Sequence, residues 1–368
     1  MNDLAFATQL VGSWCKPHWL ANHELVYGEE GTWWRVGADQ LPEAQDDAVR
    51  LAVSDQQRAG LTFVTDGEQR RQTFSGHFYR MQGIDVHDRG EAQSKAIDIL
   101  GSITMKTRPA ATPVPTNAGD APPPRPRQLQ PKVVGPVSWS GPILADEIRF
   151  LKRCSSAPVK VTVIGPCTLA LRLVDEHYGS SAAMTFAVAD ALNAEIRSLE
   201  KLGVDLIQID EPEVHFRYSA VEAYAVEAID RALAGVTTRT AIHVCYGYSK
   251  NIAEKRESPV YAAALRMLAA TSADEISLEY EQPGHGPELL TNLGSKAVIL
   301  GVLNLDTEAA VETAEHIEQR AADATEVVGP DRMRLASDCG MWFLPRETAT
   351  AKIMSMTSAA AALRKRFG

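Results

Sequence analysis

The chain has 368 residues, of which 45% are hydrophobic and 23% charged, with a formal net charge of −10. This is globular composition with ample material for a large core, and it excludes fibrous and disordered classes. The acidic balance leaves no basic stripe to displace counterions, which argues against a nucleic-acid or anionic-membrane partner.

The N-terminus, Met-Asn-Asp-Leu-Ala-Phe-Ala-Thr, lacks a basic region followed by a long apolar stretch, and no apolar run approaches membrane-spanning length. The expected location is therefore cytoplasmic. The five cysteines, Cys15, Cys154, Cys167, Cys245 and Cys339, are widely spaced, which suits reduced thiols and a metal site better than a disulfide framework.

Apolar runs rich in Val, Ile and Leu alternate with longer segments of helical period. The first strand is expected at Thr8-Gln-Leu-Val-Gly12, followed by a loop with Trp14, Trp19, Trp33 and Trp34 and by a helix near Glu43 to Ala59. The tryptophans suit a hydrophobic lid better than a stacking box. Leu61 to Thr65 forms the second strand and runs into Asp66-Gly-Glu-Gln-Arg70, with a helix expected near Arg71 to Arg80. Between about Gly83 and Gly141 the rhythm breaks, and Thr107 to Pro131 carries eight prolines. That stretch cannot be a packed helix or a central strand, and a mobile, polyproline-like tip is expected.

The rhythm resumes with a helix near Ala145 to Cys154, a third strand at Val159 to Ile164, and helical segments up to Leu202. The fourth strand, Asp205 to Ile209, ends in Asp210-Glu-Pro212, and a helix spans roughly Ala220 to Ala234. The fifth strand, within Arg239 to Gly247, carries His243 and Cys245. The sixth lies near Glu275 to Leu278, the seventh at Ala297 to Leu303 and the eighth at Met333 to Ser337, with helices near Thr307 to Val327 and Arg346 to Lys365.

Eight such units predict an α/β fold, a parallel (β/α)8 TIM barrel over residues 1–368, with the excursion at 83–141 inserted after the second βα unit. The rival is a doubly wound open sheet, but no Gly-x-Gly-x-x-Gly turn follows the first strand. In such barrels catalytic groups gather at the C-terminal strand ends. The polar motifs fall there.

Alternate residues of a strand share a face, so His243 and Cys245 can reach one ion together. Glu279 and Cys339, at two later strand ends, complete a set of four ligands that selects zinc over magnesium or calcium. Taken singly, each cysteine is as readily a small core hydrophobe and His243 a hydrogen-bonded core histidine. Zinc with two thiolates is a poor water activator, but it can accept a substrate thiol in place of its weakest ligand, Glu279, and keep that thiol nucleophilic. Glu68, Asp210 and Glu211 add carboxylates suited to an ammonium group or to proton transfer, or alternatively to helix capping and loop salt bridges. The Gly12-Ser13 turn can present backbone N–H groups to a carboxylate. Cys15, Cys154 and Cys167 are expected to be structural, and His18, His77, His215 and His285 not to be ligands.

The segments Val11-Gly-Ser13, Asp66-Gly-Glu68 with Arg70, Gly165-Pro166, Gln208-Ile-Asp-Glu-Pro212, His243-Val-Cys-Tyr-Gly247, Ile276-Ser-Leu-Glu279, Gly301-Val302 and Asp338-Cys-Gly340 together resemble the catalytic barrel of cobalamin-independent methionine synthase and its single-barrel relatives. The resemblance implies Zn2+ on His243, Cys245, Glu279 and Cys339. It places homocysteine on Ser13, Glu68 and Asp210. It also marks two departures. Arg172 stands where the long forms have a folate-stacking Trp, and Asp306 stands at their proton-transferring His. Arg172 is thus a candidate substrate-binding residue, and Asp306 and Glu211 are candidate catalytic residues.

The implied activity is zinc-dependent methyl transfer to homocysteine, giving methionine, from methyltetrahydrofolate, a methylcorrinoid or a methyl-donating partner protein. Two alternatives stand beside it. One is alkyl transfer to another thiol, as in epoxyalkane:coenzyme M transferases, and the other is a non-catalytic zinc or thiol carrier. A uroporphyrinogen decarboxylase type of barrel would leave Cys245 and Cys339 unexplained.

Overall fold

A computed structural model describes residues 3–23, 33–93, 129–247 and 252–368. In chain order its elements begin with β1 (Ala7–Thr8), α1 (Leu41–Arg58), β2 (Gln82–Gly90), β3 (Gln130–Ser138), α2 (Ala145–Cys154), β4 (Lys160–Ile164), α3 (Pro166–Leu171), β5 (Val174–Asp175) and α4 (Ser181–Glu200). They continue with β6 (Leu206–Asp210), α5 (Glu213–Phe216), α6 (Tyr218–Val221), α7 (Ala225–Leu233), β7 (Thr240–Val244), α8 (Ile252–Glu257) and α9 (Pro259–Ala269). The last are β8 (Glu275–Leu278), β9 (Ala297–Gly301), α10 (Ala314–Val328), β10 (Met333–Ala336) and α11 (Arg346–Phe367).

Seven parallel strands run in the order β1-β10-β9-β8-β7-β6-β4. The segment around Val64 fills the remaining place. Val64 bridges Val159 in parallel, and on its other side Thr62 N and Phe63 N donate to Thr8 O at 2.9 and 3.1 Å. The ring therefore closes into a (β/α)8 barrel. β4, β6, β7 and β10 are buried along their whole length, which is why they read as apolar runs rather than as alternating ones. Ala7, Phe63, Leu206, Ala241, Ile299 and Ala336, from six places around the ring, form a cluster apart from the main core and fill the barrel interior.

The helices form where their apolar stripe finds the barrel. α1 opens with a proline in its first turn, carries Glu43 there and Arg58 in its last turn, and buries Ala48, Val49, Ala52 and Val53. α4 is capped by Ser180, whose side chain accepts from Ala183 N, and α10 by Thr313, which accepts from His316 N. No helix among the described residues is long and apolar enough to cross a membrane.

The first strand is Ala7–Thr8 and does not run on to Gly12, and three helix expectations also differ. Residues 71–80 do not form an α-helix, and only Gly76–Arg80 turns, as a 3-10 segment. Thr73 Oγ1 accepts from Gly76 N at 3.0 Å, a local bond that competes with the helical one. The helix expected over 220–234 is split between the end of α6 and α7, which starts only at Ala225. The helix expected from Thr307 begins only at Ala314, where the Thr313 cap stands.

The excursion leaves the barrel as β2 and returns as β3, paired antiparallel, with β5 parallel to β3 on its other side. Pro131 and Pro136 cannot donate to a ladder, and the β2–β3 register slips between Gln82 and Ile84 and again between Asp85 and Arg89. The proline-rich tip falls largely within 94–128, outside the described residues. The return is anchored by the buried Glu195 of α4, which accepts from Trp139 Nε1, Ile143 N and Leu144 N at 2.8, 2.9 and 2.9 Å.

Candidate active site

The C-terminal ends of the strands surround a cleft of about 590 Å³, measured to its open mouth. Its lining includes His243, from the last two residues of β7, Cys245 just beyond it, and Cys339 beyond β10. Their ligand atoms all lie within 4.8 Å of one another, and the two sulfurs are 3.4 Å apart.

His243 is oriented from outside the cleft. Its Nδ1 lies 3.0 Å from Oγ of Ser277, its register partner on β8, while Nε2 is buried and has no hydrogen-bond partner. Burial, reinforced by Lys160, lowers the imidazole pKa to about 3, so the ring is neutral with one nitrogen held and the other turned inward. Cys339 beside it, and then burial, raise the Cys245 thiol well above its usual range. A neutral imidazole and two adjacent thiols need a soft cation to ionise the sulfurs together, and these three residues can hold a metal ion.

Glu279 follows β8 and is buried, but its carboxylate does not join those three. Oε2 accepts from Tyr246 N at 2.8 Å, and Oε1 pairs with the buried Lys255. Its charge still reaches Cys245.

The same cleft is lined by the remaining expected binding residues, Ser13, Glu68, Asp210 and Arg172. Glu68 has a left-handed backbone, φ 55°, stabilised by Asp66 Oδ1, which accepts from Glu68 N at 2.9 Å. Its Oε1 accepts from Thr162 Oγ1 at 2.8 Å and lies 3.3 Å from Arg71 Nη1. Asp210 Oδ1 accepts from Gln208 Nε2 at 2.6 Å, and burial together with the Glu68 charge pushes the Asp210 carboxyl well above the ordinary range. Two carboxylates facing one buried space favour a cation between them.

Two expected catalytic residues are placed elsewhere. Glu211 is fully buried, and its carboxylate accepts from Cys167 N, Thr168 N and Thr168 Oγ1 at 2.9, 2.8 and 2.6 Å. It fastens the start of α3 to the end of β6, which is why Gly165 is glycine: a Cβ there would lie 2.2 Å from Glu211 Cδ. Asp306 sits on the loop after β9, where its Oδ1 accepts from Glu308 N at 3.0 Å, and it is not among the residues lining the cleft. A short polar loop gives its acid a backbone donor close at hand, and the turn takes it.

The tryptophan lid is also different from expectation. Trp14 is a core residue donating to Asp55, Trp33 is buried, Trp19 is exposed, and Trp342 lines the cleft instead. Lys16 Nζ stands over the Trp342 ring, 4.8 Å from its centroid. Phe74 lines the cleft as well. The signal for Trp342 was its position three residues after Cys339, just past a strand-end motif. Asp338 stands beside Cys339 in the Asp338-Cys-Gly340 motif. It accepts from Tyr280 N, Glu281 N and Gln282 N at 3.0, 3.0 and 2.7 Å, tying the β10 loop to the β8 loop. A Cβ on Gly301 would meet Asp338 Oδ1 at 2.3 Å, which accounts for the glycine of Gly301-Val302.

A family model described as the catalytic domain of cobalamin-independent synthase matches residues 124–362. The chain is 27% identical to a methionine synthase of Sulfolobus acidocaldarius over 95% of its own length and 89% of that protein's. It is 27% identical to one of Saccharolobus solfataricus, covering 97% and 95%. Among solved structures, it superposes with a TM-score of 0.82 on a B12-independent methionine synthase from Shewanella sp. in complex with selenomethionine, at 29% identity and covering 99% of this chain and 98% of that one.

Proposed function

The chain belongs to the cobalamin-independent methionine synthase family, and we propose that it transfers a methyl group to the sulfur of homocysteine, with zinc on His243, Cys245 and Cys339 and Glu279 as the exchangeable fourth ligand. The observation that carries this reading is the joining of a thiol-rich donor set and a carboxylate pair in one cleft of amino-acid size. The Shewanella relative's complex with selenomethionine, methionine with selenium for sulfur, supports an amino-acid ligand for this chain.

His243, Cys245 and Cys339 would hold the zinc, which would supply a Lewis acid able to lower a thiol's pKa and keep the sulfur nucleophilic. The side chains do the rest. Glu68 and Asp210 receive the ammonium group, so the chain of the amino acid spans from them toward the two cysteines. Thr162 and Gln208 hold those carboxylates in place. Phe74 and Trp342 wall the cleft and exclude water from the reacting sulfur. Lys255 and Tyr246 N hold the Glu279 carboxylate, so its buried charge is paired without a metal ion. In the reaction the acceptor's thiol proton passes to solvent, the sulfur forms a bond to the methyl carbon, and the donor's leaving atom keeps the electron pair of the bond that breaks. The donor is methyltetrahydrofolate, a methylcorrinoid or a methyl-donating partner protein, and the reaction takes place in the cytoplasm.

X-ray absorption at the zinc edge tests the reading. Two sulfur neighbours rising to three with homocysteine, and not with coenzyme M, is the expected result. A rise with coenzyme M alone would move the function to alkyl transfer onto a sulfonate-bearing thiol. Binding of homocysteine without turnover of any of the three donor classes would make the protein a carrier.

A further inference from the structure

Arg71 follows the Asp66-Gly-Glu68 turn and is buried. Its neighbour Arg70 pairs with Asp46 of α1 instead. Among the described residues the hydrogen bonds of the Arg71 side chain go to Thr162 of β4 alone, Nη1 donating to Oγ1 and Nη2 to the carbonyl oxygen, both at 3.0 Å. On its other side the guanidinium is held more loosely: Nε lies 3.8 Å from Glu147 Oε2, and neither of those atoms has a hydrogen-bond partner. Glu147 is fixed in turn by His77, whose Nε2 lies 2.9 Å from its other oxygen. The charges of Glu68, Glu147 and Asp66 all reach Arg71, so the buried cation is compensated.

A hydroxyl has one proton to give and lone pairs with which to accept, whereas a guanidinium can only donate. The Thr162 proton cannot go to Arg71, so the bond from Arg71 commits it to Glu68 Oε1, 2.8 Å away. Arg71 Nη1 stands 3.3 Å from that same oxygen. Oε1 is thus occupied by the protein, while among the described residues no hydrogen bond reaches Oε2, and Glu68 lines the cleft. The backbone behind it is held as well, since the Glu68 carbonyl accepts from Arg71 N at 3.1 Å and from Lys16 Nζ. We infer that Arg71 is the positioning residue of the ammonium site: through Thr162 it fastens one oxygen of Glu68 and leaves the other to the ligand. Little order then has to be imposed when a cationic group arrives. The inference rests on the proposed function, in which Glu68 receives the ammonium, and deepens it by naming what makes the cleft prefer a thiol with an amino group over the same thiol without one.

Calorimetric titration of the zinc-loaded full chain tests this, with homocysteine and with 4-sulfanylbutanoate, the same molecule without its amino group. The wild type is expected to bind homocysteine about 10- to 100-fold more tightly than 4-sulfanylbutanoate, and R71M to remove most of that gap by weakening homocysteine alone. R71K keeps the charge but cannot span both oxygens of Thr162, and it is expected to fall between the two. T162V should resemble R71M, and the double variant R71M with T162V should bind homocysteine no more weakly than either single one, because both act through one set of bonds. Equal weakening of both thiols by R71M would reduce Arg71 to a prop for the cleft and overturn the inference. Homocysteine binding as tight as in the wild type would overturn it too, and so would losses that add in the double variant. Should R71M not fold, R71K alone and combined with T162V carries the same comparisons. A wild-type protein that binds neither thiol, or both equally, would instead overturn the proposed function on which the inference rests.

Discussion

The sulfurs of Cys245 and Cys339 lie 3.4 Å apart although 94 residues separate them in the chain. β8 and β9 stand between their strands, so the two thiols meet only because the loops after β7 and β10 turn over the same end of the barrel. Asp338 makes that turn reproducible by collecting three backbone N–H groups of the β8 loop beside Cys339.

The contact between Ser277 Oγ and His243 Nδ1 at 3.0 Å fixes which imidazole nitrogen faces the sulfurs. Ser277→Ala is expected to weaken zinc binding about 10- to 100-fold, the range for losing such an orienting partner. Competition against a coloured chelator measures it. Cys245→Ser and Cys339→Ser should each lose stoichiometric zinc, and retention of zinc by both would remove the metal site from this cleft.

Glu68→Gln and Asp210→Asn should each reduce homocysteine affinity by about 10- to 100-fold, because each removes one charged partner of an ammonium group. The amides keep an oxygen to accept from Thr162 Oγ1 and Gln208 Nε2, so the walls of the cleft should stay in place. Calorimetric titration of the zinc-loaded protein gives the affinities, and unchanged zinc content confirms that the loss belongs to the substrate end. Equal affinities in variant and wild type would place the ammonium elsewhere.

Glu211→Gln is expected to destabilise the fold by about 1–3 kcal/mol, since an amide nitrogen would oppose the N–H of Cys167 or Thr168. Gly165→Ala should cost more, with a Cβ 2.2 Å from Glu211 Cδ. Urea titrations followed by circular dichroism report both. A Glu211→Gln protein as stable as the wild type would contradict the anchoring role.

Asp66 carries the pH prediction. Burial and then the Glu147 charge raise its carboxyl to about 6, so the folded state keeps a proton that the unfolded chain has released. Its contribution is therefore favourable below the ordinary aspartate value and is lost as pH rises through about 6. Asp66→Asn, which retains an oxygen to accept from Glu68 N, should remove this slope. Relative to the variant, the wild type should lose up to about 2 kcal/mol between pH 4 and pH 7. Unfolding midpoints across that range decide it, and parallel curves would show that Asp66 does not titrate there.

The order of barrel strands was legible in the chain because strands covered on both faces must be apolar throughout, and those runs stand out against helices of a different period. His243 and Cys245 could be paired from sequence for an equally local reason, the two-residue repeat of a strand. Other assignments required the folded chain. Asp210 and Glu211 are adjacent acids with the same motif around them, yet one faces the cleft and the other caps α3. Sequence spacing says only that neighbours at a strand end point to opposite sides, and the hydrogen bonds that the start of α3 gives to Glu211 decide which acid is left to the cleft. The same limit explains Asp306, whose acid is taken by its own turn, and Trp342, which lines the cleft in place of the earlier tryptophans. The sequence by itself therefore determined the barrel and the chemical kinds of ligand at its mouth, because both follow from local periodicity. Tertiary structure alone decided which groups share one space, because that depends on how loops far apart in the chain fold over a common end.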